Sequence, residues 1–123
     1  MENNQVKSPI FQFKVRKAIK ILTENVESIS DVQSWAKEAG VSTRWLCKAI
    51  KRESGNSPKV FLRNKRYKIL VKILSEDPEL TGYHLAREIG LSDEKALYKF
   101  LSTHYNTTLT QMRVEIIKVR LDK

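Results

Sequence analysis

The sequence predicts an all-α fold of about seven helices, built as two similar helix pairs joined by one long helix. Three observations predict it. Apolar residues recur at helical spacing almost throughout the 123 residues, and no alternating run marks a strand or hairpin. Three of the four glycines (Gly40, Gly55 and Gly90) follow such runs, where a residue tolerant of the left-handed region closes a helix. A segment of the first half of the chain also returns in the second.

Taken in order, residues 1–10 read as a flexible tail. From Phe11 the positions Phe11, Val15, Ala18, Leu22 and Val26 give a first amphipathic helix. A second opens at Ser30, where Ser-Asp-Val-Gln has the form of a capping box, and it stops at Gly40. The third comes after Ser42 and ends before Gly55. Ser57-Pro58 supplies an N-cap and a first helical residue for a long fourth helix, which Glu76-Asp77-Pro78 terminates. A fifth fits residues 81–89, before Gly90. A sixth starts after Ser92, with Asp93 and Glu94 suiting the positive end of its dipole. Thr-Leu-Thr-Gln at 108–111, a second capping box, announces the last. These elements group into a first subdomain at 11–56, a connecting helix at 57–76 and a second subdomain at 77–123.

The repeat carries most of the functional information. Trp35-Ala-Lys-Glu-Ala-Gly-Val-Ser42 returns as Leu85-Ala-Arg-Glu-Ile-Gly-Leu-Ser92, so Ala36, Gly40 and Ser42 recur at a fixed offset as Ala86, Gly90 and Ser92. The offset then grows by one residue, pairing Leu46 with Leu97 and Lys48 with Lys99. Each copy reads as a short helix, a tight turn and a second helix. A small Ala lets the helices approach, Gly40 or Gly90 makes the turn, and Ser42 or Ser92 is expected to cap the second helix. These are two helix-turn-helix subdomains, in which the second helix is the one that enters a major groove. At 100° per residue, Leu46, Ala49 and Ile50 form an inward face. Arg44, Cys47, Lys48, Lys51 and Arg52 point outward, with Trp45 at the edge. In the second copy Leu97, Phe100 and Leu101 turn inward, and Lys95, Tyr98, Lys99, Ser102 and Thr103 outward. Arg and Lys read guanine edges or neutralise phosphates, and hydroxyls add phosphate contacts.

This pattern resembles the DNA-binding domain of AraC/XylS-type transcription regulators. The resemblance rests on Ala36-x3-Gly-Val-Ser-x3-Leu46, Gly55-x-Ser-Pro-Lys-x-Phe-Leu-Arg-x2-Arg66 and Leu85-Ala-x3-Gly-x-Ser-Asp93, and it covers about Phe11 to Lys118. It implies base-reading positions at Arg44, Trp45, Cys47 and Lys48 and at Glu94, Lys95, Tyr98 and Lys99. It also implies a double-stranded DNA partner bound by a monomer, and contact with RNA polymerase in activation. Departures are Leu91 for a Phe, Ala96-Leu97 for an aromatic pair, and Asn106 and Leu109 for a Gly and a Pro. Ser102, Thr103 and His104 stand at places that are usually basic. Asn106 tolerates the left-handed region, so the second unit is expected to fold. Such regulators commonly carry an effector-binding domain. Only about ten residues precede the first predicted helix here, so the chain reads as a stand-alone regulator or a DNA-binding fragment.

Composition agrees and excludes other classes. The 23 Lys+Arg outnumber 14 Asp+Glu for a net +9, which implies a polyanionic partner. The excess is local. Residues 44–72 hold ten bases (44, 48, 51, 52, 59, 63, 65, 66, 68, 72) and one acid, Glu53. Residues 75–110 hold three bases (87, 95, 99) and six acids (76, 77, 79, 88, 93, 94). The first unit and the connecting helix are therefore expected to supply most of the affinity. A connecting helix of roughly 18 residues spans about 27 Å, suited to recognition helices spaced near the roughly 34 Å of one DNA turn. Lys65, Lys68 and Lys72 on that helix are open between DNA contact and an ordinary solvated face. Trp45 is open between base contact and packing on the first helix, and Tyr98 between contact and packing. Cys47 alone excludes a disulfide framework or thiolate cluster, fits a reducing cytoplasm, and reads as an inert small residue. His84 and His104 lack ligand spacing, so no metal and no cofactor is expected. No Gly-rich phosphate loop, HExxH or nucleophile constellation points to an enzyme, and no catalytic residue is assigned. No signal region or membrane-length apolar run appears, so no membrane partner is expected and the location is cytoplasmic. The alternative is a basic helical module that binds RNA, an anionic surface or a protein without reading DNA sequence.

Overall fold

The computed structural model describes residues 8–121. It divides into two compact units, 1–65 and 66–123. Among the described residues there are seven α-helices and no strand. They are α1 (Pro9–Glu24), α2 (Val32–Ala39), α3 (Thr43–Ser54), α4 (Pro58–Glu76), α5 (Gly82–Glu88), α6 (Glu94–Tyr105) and α7 (Leu109–Leu121), with a 3-10 turn at Val26–Ser28. The division between the units falls inside α4.

Helix ends obey local chemistry, and several differ from the sequence expectation. The chain is already helical at Pro9, because Ser8 Oγ accepts from Phe11 N–H at 3.2 Å and proline needs no partner at a first helical position. Residues 9 and 10 of the expected tail are thus helix, and residues 1–7 lie outside the described residues. The α2 cap is Asp31 rather than Ser30, with Ser34 N–H donating to Asp31 Oδ1 at 2.8 Å. Asp31 holds the extended backbone of an N-cap, which brings its carboxylate onto that amide. The cap of α6 is Asp93 rather than Ser92, with Ala96 N–H donating to Asp93 Oδ1 at 2.8 Å. The extra residue in the second copy accounts for this. Trp45 N–H donates to Ser42 Oγ and Leu46 N–H to Ser42 O. Leu97 N–H likewise donates to Asp93 O, so Asp93 is the structural counterpart of Ser42 and Ser92 lengthens the turn.

The glycine part of each turn repeats. Val41 N–H reaches Ala36 O at 3.0 Å and Leu91 N–H reaches Ala86 O at 2.9 Å. Gly40 and Gly90 hold φ of +71° and +84°, the left-handed geometry that a Cβ disfavours. Ser57 caps α4 as expected, with Val60 N–H on its Oγ at 3.3 Å. Asn106 closes α6 at φ +49°, doing without glycine what the departure in sequence asked of it.

In the first unit α1 packs against both α2 and α3. Its core holds Val15, Ala18, Leu22, Trp35, Leu46, Ala49 and Ile50. Trp35 is fully buried, donates from Nε1 to Ala18 O at 2.9 Å and stacks on Phe61 of α4 at 5.7 Å. The polar edge of the indole is thereby satisfied inside an apolar core. Val26, which the sequence reading places in the first helix, sits in the 3-10 turn yet is only 3% exposed. Asn25 ends α1 one residue earlier, its side-chain amide donating to Ile21 O at 2.9 Å.

The second unit closes around Leu70, Leu74, Leu85, Ile89, Leu97, Leu101 and Met112. Tyr67 and Tyr105 stack at 3.9 Å. Two arginines hold backbone carbonyls, one at the end of α5 and the other in the loop between α4 and α5. Arg66 Nε donates to Ile89 O at 3.0 Å. Arg113 donates to Pro78 O and, at 2.7 Å, to Leu80 O. Arg66 therefore spends its guanidinium within the fold.

Candidate nucleic-acid interface

The face that a helix-turn-helix presents is decided by which residues its core takes. In α3 the core takes Leu46, Ala49 and Ile50, each at most 1% exposed. Arg44, Cys47, Lys48, Lys51 and Arg52 are exposed, as the helical arithmetic predicts. Lys51 and Arg52 lie in the last turn, where cations suit the negative end of the dipole. Arg44 lies in the first turn, where no acid accompanies it and a cation costs about 0.3–1 kcal/mol.

Trp45 packs on α1. It is half-buried, its ring centroid 6.1 Å from that of Phe11 on α1, and Lys14 Nζ lies 5.9 Å over its face. Lys14 is a cation that sequence reasoning does not select. Its place off the core stripe of α1 is legible, but its approach to α3 depends on how Phe11 and Trp45 meet. An open groove lined by Asp31, Ser34, Lys37, Ser42 and Thr43 runs beside the turn into α3.

In α6 the core takes Leu97, Phe100 and Leu101. Glu94, Lys95, Tyr98, Lys99, Ser102 and Thr103 are all exposed. Two of these are joined. Tyr98 O–H donates to Glu94 Oε2 at 2.7 Å, one turn earlier on the same helix. Glu94 also lies over Gly82 of α5, where an added Cβ would stand 2.9 Å from Glu94 Cγ. The bond to Glu94 is the main reason that the Tyr98 phenol titrates above its ordinary value of 10.0. Burial and the Glu94 charge add to the rise, and the Arg113 charge opposes it. The outward face of α3 offers Arg44, Lys48, Lys51 and Arg52 beside the Cys47 thiol, whereas that of α6 offers cations, hydroxyls and a held carboxylate.

On α4, Lys68 and Lys72 are exposed, while Lys65 is half-buried with Nζ 5.8 Å over the Phe61 ring. Cys47 is an exposed thiol. His84 is exposed, and His104 meets the Phe100 ring edge-on at 5.8 Å. Among the described residues no group of His, Cys, Asp or Glu has the arrangement of a metal site. No helix among them is long and apolar enough to cross a membrane.

A family model described as a helix-turn-helix domain matches residues 35–115. Two solved structures share the fold. The C-terminal domain of AraT, a response regulator from Geobacillus stearothermophilus, gives a TM-score of 0.73 at 22% identity, covering 88% of this chain and 86% of that one. A transcriptional regulator from Chromobacterium violaceum, described among AraC-type DNA-binding domain-containing proteins, gives 0.70 at 20% identity, covering 89% and 96%. No curated protein sequence matches the chain.

Proposed function

The chain belongs to the AraC-type helix-turn-helix family of DNA-binding transcription regulators, and from that premise we propose that it binds duplex DNA sequence-specifically, placing α3 and α6 in adjacent major-groove segments. The observation that carries this reading is the outward face of α3. Arg44, Lys48, Lys51 and Arg52 are exposed there, back to back with a buried apolar face, on the helix that succeeds a family-type turn. Arg44 and Lys48 are assigned to base edges, Lys48 also to a neighbouring phosphate, and Lys51 and Arg52 to phosphates. Cys47 and Trp45 border the contact. On α6, Lys95 and Lys99 are assigned to DNA, and Ser102 and Thr103 to phosphate hydrogen bonds.

The protein acts as a monomer in the cytoplasm, two different recognition helices reading one asymmetric site, and it contacts RNA polymerase to activate transcription. Family members are regulators and not enzymes, and the reading requires no cofactor. Selection from random duplexes and subsequent footprinting test it. Two protected segments about 10 base pairs apart are expected. Equal affinity for selected and random duplexes at matched salt would instead make the protein a non-specific polyanion-binding module.

A further inference from the structure

The pair on α6 is an unexpected use of a DNA-facing surface. A carboxylate near phosphates weakens non-specific attraction, so beyond its favourable place at the helix start Glu94 adds nothing to a helix meant only to grip the backbone. Yet Glu94 is exposed, stands in the first turn of α6, and is held from two sides. Tyr98 O–H fixes Oε2 at 2.7 Å, and Gly82 leaves the space that the Glu94 side chain fills. With its phenol pKa raised, Tyr98 remains a protonated donor at neutral pH.

An ionised carboxylate accepts hydrogen bonds and donates none. In the major groove, guanine presents N7 and O6 and thymine presents O4, all acceptors that repel it. Adenine carries the N7 acceptor beside its N6 donor, and cytosine presents the N4 donor with no acceptor on its own groove edge. With Oε2 bonded to Tyr98, the other carboxylate oxygen of Glu94 is the one left to face a base, and cytosine N4 is the donor that matches it. We propose that Glu94, positioned by Tyr98 and Gly82, makes the second recognition helix select cytosine at one position of the operator and reject guanine and thymine there. The proposal rests on the reading of the chain as a sequence-specific DNA-binding protein. In it Glu94 is the base-reading residue, and Tyr98 and Gly82 are positioning residues.

The test uses the full chain and the duplex recovered by selection, with each base pair under the second protected segment replaced in turn. Wild-type protein is expected to lose about tenfold in affinity when one particular cytosine becomes guanine or thymine, the size of a good base contact. Glu94→Gln, whose amide both donates and accepts, is expected to flatten that preference to about threefold or less while binding random duplex more tightly. Tyr98→Phe and Gly82→Ala leave the carboxylate in place chemically but displace it. Both are expected to reduce the cytosine preference without weakening binding to random duplex. Gly82→Ala serves as the folding control, since Ala is the better helix former. A Glu94→Gln protein that keeps the wild-type preference overturns the inference and leaves the DNA-binding reading standing. So does a selected site with no cytosine-dependent position under the second segment. Failure to recover any selected sequence overturns both.

Discussion

Lys48 and Lys99 occupy corresponding places on α3 and α6, both exposed and both clear of their cores, so replacing either with alanine isolates its contact with DNA. Neither removal opens a cavity, and the change in stability is expected to stay within about 0.5 kcal/mol. One phosphate contact contributes about 0.9 to the slope of log K against log salt. Between 1 M and 0.15 M salt that slope amounts to about 0.7 decades, a roughly fivefold contribution at physiological ionic strength. Lys48→Ala is therefore expected to weaken operator binding by about fivefold or more at 0.15 M salt and to lower the slope by about 0.9. Lys99→Ala is expected to cost less, because residues 75–110 around it hold six acids to three bases. Fluorescence anisotropy titrations of one labelled duplex over a series of salt concentrations measure both quantities. An equal or larger loss from Lys99→Ala, or an unchanged slope for Lys48→Ala, would refute the assignment of affinity to the first unit.

Three further outcomes are expected. Arg44→Ala removes a cation from the positive end of α3, so thermal unfolding is expected at the same or a slightly higher temperature while operator affinity falls by about fivefold or more. An unfolding temperature that drops with affinity would make Arg44 a structural residue. Asp93→Ala is expected to destabilise the second unit by about 1 kcal/mol through loss of the bond to Ala96, and Ser92→Ala to have almost no effect. The reverse order in urea unfolding would return the cap to Ser92. Trp35→Phe keeps an aromatic ring against Phe61 but removes the donor to Ala18 O, at an expected cost of about 1–3 kcal/mol. A cost near zero would mean that the indole N–H contributes no net stabilisation.

The features legible in the sequence are those that the chain repeats or alternates. The inward sets Leu46/Ala49/Ile50 and Leu97/Phe100/Leu101 are buried because helical periodicity alone decides which side of an amphipathic helix the core accepts. The glycine turns repeat because left-handed backbone geometry has few solutions in sequence. Caps are harder to read. Ser30 and Asp31 are adjacent acceptors, as are Ser92 and Asp93, and backbone geometry decides between neighbours that composition cannot separate. The packing of Trp45 on Phe11, the Arg113 clamp on Pro78 and Leu80, and the bond from Arg66 to Ile89 join residues far apart in the chain. No local pattern announces them.

The shifted cap bears on what the two recognition helices can share. If the residue added in the second turn had entered α6 itself, it would have rotated the outward face by about 100° against the core. Instead the cap and the core positions move together, Ser42 to Asp93 and Leu46 to Leu97, so the rotation of the helix is preserved and only the turn is longer. Lys99 therefore faces outward as Lys48 does, and the contrast between the units arises from side chains rather than from backbone register. The first presents cations around a helix whose opening turn carries Arg44, a composition that attracts any duplex and depends strongly on salt. The second begins with Asp93 at the cap and Glu94 behind it, charges that stabilise the helix start and penalise indiscriminate backbone contact. Removing the Glu94 charge should consequently raise affinity for random DNA more than affinity for the operator. On the proposed reading, such an electrostatic division gives α3 most of the attraction, and the Glu94 carboxylate adds discrimination to that of Arg44 and Lys48.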